Sequence, residues 1–116
     1  MMGFKELTPG QVFFNKQLEY LDARAVDALI DDHYTEDALL MSGDLAIRGR
    51  DALKEHFRAY LQMLGTLKID SLDKFNETSD SIYFEATVTT ELGQVRMFDG
   101  WVLREGKIAY HFTGVK

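Results

Sequence analysis

Gln94-Val95-Arg96-Met97-Phe98-Asp99-Gly100-Trp101-Val102-Leu103-Arg104-Glu105-Gly106-Lys107-Ile108 is the stretch that decides the fold. Every second residue from Val95 is Val95, Met97, Asp99, Trp101 and Leu103, an apolar stripe of period two with one carboxylate at its centre. Gln94, Arg96 and Arg104 mark the opposite, wetter face of the same strand. Arg104-Glu105-Gly106 then breaks the pattern before the period resumes. An ionised carboxylate on an apolar strand face must find partners, face a water-filled cavity or take up a proton. A cavity carrying one acid is a common plan for a small-molecule site.

Outward from this strand the period of two continues in both directions. Residues 67–75, 81–91, 94–103 and 107–113 read as four long strands, broken at residues 76–80, at Leu92-Gly93 and at Arg104-Glu105-Gly106. The N-terminal half repeats every three to four residues instead. Thr8-Pro9-Gly10-Gln11 reads as a helix start, with Thr8 as N-cap, Pro9 at the first position and Gln11 closing a capping box. Phe14, Leu18 and Leu21 follow at helical spacing. A second short helix carries Val26, Leu29, Ile30 and His33 or Tyr34 on one face, and Tyr34-Thr35-Glu36-Asp37 reads as its exit. Residues 38–42 and 45–48 read as short strands around a Gly43-Asp44 turn. Asp51 is placed to cap a third helix, whose face is Leu53, Phe57, Tyr60, Leu61 and Leu64 and which Gly65 ends.

Helices followed by a meander predict an α+β domain: three N-terminal helices packed on a strongly curved, mainly antiparallel sheet, forming a cone with an internal pocket. The 116 residues form one domain, 1–116, large enough to bury roughly two-thirds of its unfolded surface. There is no cysteine, which excludes disulfides, thiolate catalysis and cysteine-held zinc, and fits a reducing cytoplasmic setting. Met1-Met2-Gly3-Phe4-Lys5-Glu6 lacks the basic-then-apolar pattern of a signal peptide, and no run approaches the ~20 apolar residues of a membrane span. A net charge of −6 with scattered Lys and Arg argues against nucleic acid and anionic membranes as partners.

Three segments carry a resemblance. They are Tyr34-Thr35-Glu36-Asp37-Ala38-Leu39-Leu40, Ile47-Arg48-Gly49-Arg50-Asp51-Ala52-Leu53-Lys54-Glu55-His56-Phe57, and Asp99-Gly100-Trp101-Val102-Leu103-Arg104-Glu105-Gly106-Lys107-Ile108. In this order and spacing, over nearly the whole chain, the sequence resembles the nuclear transport factor 2-like superfamily, and within it the SnoaL-like and ketosteroid isomerase-like proteins. The resemblance implies the cone fold, a homodimer and a pocket for a small hydrophobic molecule. Asp99 matches the late-strand acid that SnoaL-like cyclases use as acid/base. Ser42 stands where steroid isomerases have their aspartate base, and Gln17 near their first-helix tyrosine. Met97 stands where fold-related epoxide hydrolases have an Arg.

Tyr34, Tyr60 and Tyr20 are candidate hydroxyl donors to a ligand oxygen at the helical wall, and the catalytic set expected is Asp99 as proton shuttle, His111 as its partner and Tyr34 as that donor. The apolar neighbours Met97 and Trp101 disfavour a charged form, the usual way of tuning an acid for proton transfer near neutral pH. His111 faces Asp99 if Arg104-Glu105-Gly106 makes a three-residue hairpin loop; Phe112 faces it if Glu105-Gly106 makes a two-residue one. Phe14, Gln17, Met41, Tyr60, Phe84, Met97, Trp101 and Phe112 are expected to line the pocket, with Tyr20 and Met63 as further candidates. His33 and His56 sit in no metal-ligand spacing and no Gly-rich phosphate loop follows a strand, so neither a metal nor another cofactor is expected. Thr87, Thr89 and Thr90 mark a strand face suited to a dimer contact. The function expected is a cofactor-free isomerase, cyclase, dehydratase or hydrolase acting on a carbonyl metabolite. The alternative is a non-catalytic ligand-binding or dimerisation module of the same fold.

Overall fold

The structure, a computed structural model, describes residues 6–116. The start read above for a signal peptide falls, but for Glu6, outside the described residues. Thr8 caps α1 (Pro9–Asp22) in a complete capping box: its hydroxyl accepts from the Gln11 N–H, and the Gln11 side chain accepts from the Thr8 N–H. A second clasp comes from the sheet, where the Glu77 carboxylate accepts from the Gly10 N–H at 3.0 Å and from the Thr8 hydroxyl. Glu77→Ala should therefore cost about 1 kcal/mol in urea unfolding, the ordinary value of a lost helix cap.

The second helix, α2 (Val26–His33), runs straight into β1 (Tyr34–Ser42). Tyr34 to Asp37, read as a helix exit, is strand: Tyr34 lies opposite Ile108, and an irregularity then separates it from the Leu39–Tyr110 pair. No local apolar period marks these residues, and the parallel partner strand makes them extended. After β2 (Leu45–Arg48) comes α3 (Arg50–Leu64). Gly49, at φ 93°, holds the N-cap position in place of the expected Asp51, which lies in the first turn. That φ suits glycine and takes the chain from the strand into the helix. Gly65 caps the far end.

The remaining strands are β3 (Leu67–Glu77), β4 (Ser81–Thr90), β5 (Gly93–Arg104) and β6 (Lys107–Val115). They join β1 and β2 in one six-stranded sheet of order β2-β1-β6-β5-β4-β3, antiparallel except between β1 and β6. Breaks in register at Asp70 and Asp73 of β3 interrupt its pairing with β4, and such bulges bend a sheet. Thr89 and Gln94 donate to Asp70, and Ser71 and Thr87 to Asp73, so both bulge carboxylates are paired. The curved sheet does not close on itself. Leu29, Ile30, Tyr34, Leu53 and Ile108 are wholly buried between helices and sheet.

The β5–β6 hairpin follows neither of the two registers expected. Arg104 pairs with Lys107 across a two-residue turn, Glu105 at φ 54° and Gly106 at φ 78°, as a twist-matched hairpin requires. Leu103 then pairs with Ile108 but Val102 with Tyr110, leaving Ala109 as a bulge. The bulge buries Ile108 and Ala109 in succession and resets the alternation beyond them. His111 therefore lies opposite Trp101 and Asp99 opposite Thr113, while Phe112 pairs with Gly100 on the outer face.

Candidate functional site

Between the inner face of the sheet and the helices lies a cavity of about 310 Å³. Sheet residues Phe84, Ala86, Met97, Asp99, Trp101 and His111 form one wall; Phe14 and Gln17 of α1 and His56, Phe57 and Tyr60 of α3 form the other. Ser42 lies on the lining at the end of β1. Six of the eight expected lining residues are there: Phe14, Gln17, Tyr60, Phe84, Met97 and Trp101. Met41 and Phe112 are not, being 41% and 43% exposed. Each is one residue along its strand from a cavity residue, Leu40 and His111, so the pleat turns it outward. Met63 is exposed, and the Tyr20 hydroxyl donates to Asp32 away from the cavity.

Asp99 and His111 are neighbours on a diagonal of the same sheet face, with His111 Nε2 2.7 Å from Asp99 Oδ1. His111 Nδ1 lies 2.9 Å from the Tyr34 hydroxyl, which accepts from Gln17 Nε2 at 3.1 Å. The Gln17 carbonyl oxygen lies 2.7 Å from His33 Nδ1. The polarity of this chain follows from its members. A carbonyl oxygen only accepts, so His33 Nδ1–H donates. Tyr34, already accepting from Gln17, donates its proton to His111 Nδ1. His111 is then the Nε2–H tautomer and donates to the Asp99 carboxylate. Five buried or half-buried side chains are satisfied in one direction, ending at Asp99 in the cavity wall.

Tyr34 is thus not a wall donor. It is wholly buried at the start of β1 and its hydroxyl is occupied on both sides, so it positions His111. Burial raises the Tyr34 phenol above its ordinary range, which keeps its proton in place. Burial also pushes the His33 imidazole down from 6.5 to about 4. Folding favours neutral His33, so the unfolded chain binds more protons between those two values and stability falls as pH drops through that window. Between about pH 7.5 and about pH 5 the loss from this group should be about 2 kcal/mol. Urea unfolding of the wild type and of His33→Gln across that range checks it: the variant should show a flatter pH profile.

The lining residue that sequence reading weighed only as a metal ligand is His56. Its signal was available, since Leu53, His56, Phe57, Tyr60, Leu61 and Leu64 fall at i, i+3, i+4, i+7, i+8 and i+11 of one helix. Burial, and then the nearby His111, lower the His56 imidazole; burial, and then the Asp99 charge, raise the Tyr60 phenol. The indole N–H of Trp101 is buried without a hydrogen-bond partner among the described residues. Among those residues no cluster of His, Asp or Glu is arranged to hold a metal ion, and no helix is long and apolar enough to cross a membrane.

Solved structures with the same fold include TerC co-crystallised with polyporic acid, 15% identical, with 94% of this chain and 92% of that chain covered and a TM-score of 0.76. A protein provisionally named a polyketide cyclase, from Sinorhizobium meliloti, is 14% identical over 92% of this chain and 99% of its own, with a TM-score of 0.76. Another, provisionally named an isomerase of the SnoaL-like family, from Agrobacterium tumefaciens strain C58, is 13% identical over 95% and 99%, with a TM-score of 0.77. At such identities the likeness is one of fold. No curated protein matches this chain by sequence. The profile of the SnoaL-like domain matches residues 14–111, most of the chain. The protein belongs to the SnoaL-like domain family.

Proposed function

We propose that the protein is a cofactor-free acid/base enzyme, an isomerase or cyclase, acting on a small hydrophobic carbonyl compound through Asp99. One observation carries this reading: a carboxylate stands in a largely apolar cavity wall, with one oxygen bonded to His111 and the other bonded to no described residue. That second oxygen is the base. It takes a proton from a carbon beside a carbonyl, the C–H electron pair moves toward the carbonyl oxygen, and an enolate forms. Return of the proton at another carbon gives an isomer; attack of the enolate carbon on a carbonyl of the same molecule closes a ring, and the alkoxide so formed takes the proton back from Asp99. His111 has no free nitrogen for this work and serves by donating to the carboxylate, with Tyr34 holding its tautomer. Fold-mates provisionally named cyclase and isomerase, and TerC with its polyporic acid, support a ligand of this kind.

The test is proton exchange. In D₂O, followed by proton NMR, the protein should catalyse saturable α-deuteration of flat enolisable ketones such as 2-tetralone. The rival, a non-catalytic binding module, draws on Ser42 and Gln17, which are not acids. It takes over if these ketones shift the emission of Trp101, the single tryptophan, yet exchange no faster than in buffer.

A homodimer belongs to the same reading. Tyr83, Val102, Tyr110 and Phe112 are exposed on β4, β5 and β6, with the Tyr110 and Phe112 rings parallel at 6.4 Å. A second copy on this face would cover them. Sedimentation equilibrium should give a dimer for the wild type and a monomer for Phe112→Glu; a monomeric wild type refutes it.

A further inference from the structure

The geometry points to His56 and Tyr60 on α3 as the receptor for the oxygen of the ligand, which would be a flat enolisable ketone lying with that oxygen toward α3 and its acidic carbon toward Asp99. This inference rests on the reading of the cavity as a carbonyl site and adds the residues that orient the substrate.

Several polar groups on the lining are already used within the protein. Gln17 and His111 are consumed in the chain that ends at Asp99, and the Thr113 hydroxyl donates to the Phe98 carbonyl at 3.3 Å. Ser42, the Trp101 indole N–H, the His56 imidazole and the Tyr60 hydroxyl are not, and of these His56 and Tyr60 stand together on α3. Both line the cavity, both are half-buried, and neither has a hydrogen-bond partner among the described residues. They stand one helical turn apart, at the edge of the face that buries Leu53, Phe57, Leu61 and Leu64, with rings 5.9 Å apart and 15° from parallel. Polar groups held partly out of water without partners cost stability, and a ligand oxygen would offset that cost.

Their protonation suits this role. The raised phenol keeps its proton at neutral pH and the lowered imidazole is uncharged, so each offers a neutral donor. The sheet wall offers the opposite chemistry, the free carboxylate oxygen of Asp99. Donors on the helical wall and an acceptor on the sheet wall select a molecule with an acceptor oxygen at one edge and a transferable proton at another. When Asp99 takes the α-proton, the electron pair of that C–H bond ends as charge on the oxygen held by Tyr60 and His56. Hydrogen bonds that strengthen as this charge develops lower the barrier.

The probe is 4-nitrophenol, whose phenolate carries oxygen charge on a flat ring, with binding read by calorimetry and by its absorbance. Wild type should bind it saturably. Tyr60→Phe, which keeps the ring and its packing, should weaken binding about tenfold, the value of one hydrogen bond to a charged group. His56→Phe should weaken it about threefold or more, while Asp99→Asn leaves it equal or tighter by removing a like charge. Far-UV circular dichroism checks that each variant is folded, and two independent substitutions keep the test open if one is not. Absence of saturable binding, or affinities within twofold of wild type in both α3 variants, overturns the assignment. Ketone exchange that proceeds while phenolate binding ignores both α3 variants removes the oxygen receptor alone. Phenolate binding that depends on Tyr60 without any ketone exchange removes the catalytic reading and leaves the receptor standing.

Discussion

Replacement of Asp99 by Asn should lower α-proton exchange of a bound ketone about 10²–10⁴-fold, the range for loss of a positioned general base. The substitution is nearly isosteric. The amide oxygen can still accept the Nε2–H of His111, now 2.7 Å from Asp99 Oδ1, so the buried chain back to His33 stays paired. What is lost is the cavity-facing oxygen with a lone pair able to take a proton. Folding stability should change by less than about 1 kcal/mol, since no buried hydrogen bond is orphaned. Exchange rates and urea unfolding measured on the same preparation separate the two effects. An Asn variant that exchanges ketone protons as fast as wild type would eliminate Asp99 as the base.

Tyr34→Phe should be the more damaging change to the fold. The ring is wholly buried against Phe57 and His111, and Phe keeps that packing. The hydroxyl, however, is the acceptor for Gln17 and the donor to His111 Nδ1. Removing it leaves two buried groups unpaired, at about 1–3 kcal/mol each, so a total of about 2–6 kcal/mol is expected from urea unfolding. Nitrogen-15 spectra give a second readout. In wild type the Nδ1 of His111 should be pyridine-like and Nε2 pyrrole-like; in the variant the ring should sample both tautomers. A cost below about 1 kcal/mol with an unaltered spectrum would mean the hydroxyl does not hold the ring.

The two substitutions act at the end and in the middle of one hydrogen-bonded run, and their contrast separates position from chemistry. Asp99→Asn keeps geometry and removes the proton acceptor. Tyr34→Phe keeps the acceptor and loosens the ring that supports it, so its effect on exchange should be smaller than its effect on stability. The Gln17 amide spends one end on Tyr34 and the other on His33, linking α1, α2 and β1. His33 is further held by stacking on Phe13 at 3.9 Å.

The placement of Asp99 on the inner face was legible in the period-two stripe from Val95 to Leu103, because strand alternation is a local property that burial on one face enforces. The capping box of α1, the apolar face of α3 and a break within Arg104-Glu105-Gly106 were legible for the same reason. His111 was expected as the partner of Asp99, but the register that brings the two together was not legible. It depends on the bulge at Ala109, and nothing within the hairpin favours a bulge there over regular pairing. The expected assignment of Phe112 to the pocket and Tyr34 to its helical wall failed on such non-local facts. One extra residue in β6 sends Phe112 outward, and pairing with Ile108 makes Tyr34 the first residue of a strand.

By itself, then, the sequence determined the elements, their order, the α+β cone and the inward face that carries Asp99, since these follow from periods and caps read over a few residues. Only the tertiary structure decided which side chains meet. The bulge that turns His111 inward, the parallel β1–β6 pairing that buries Tyr34 beside it, and the α3 packing that sets His56 beside Tyr60 at the cavity all arise between residues far apart in the chain. Their energy lies in burial and pairing across elements, which no local period records.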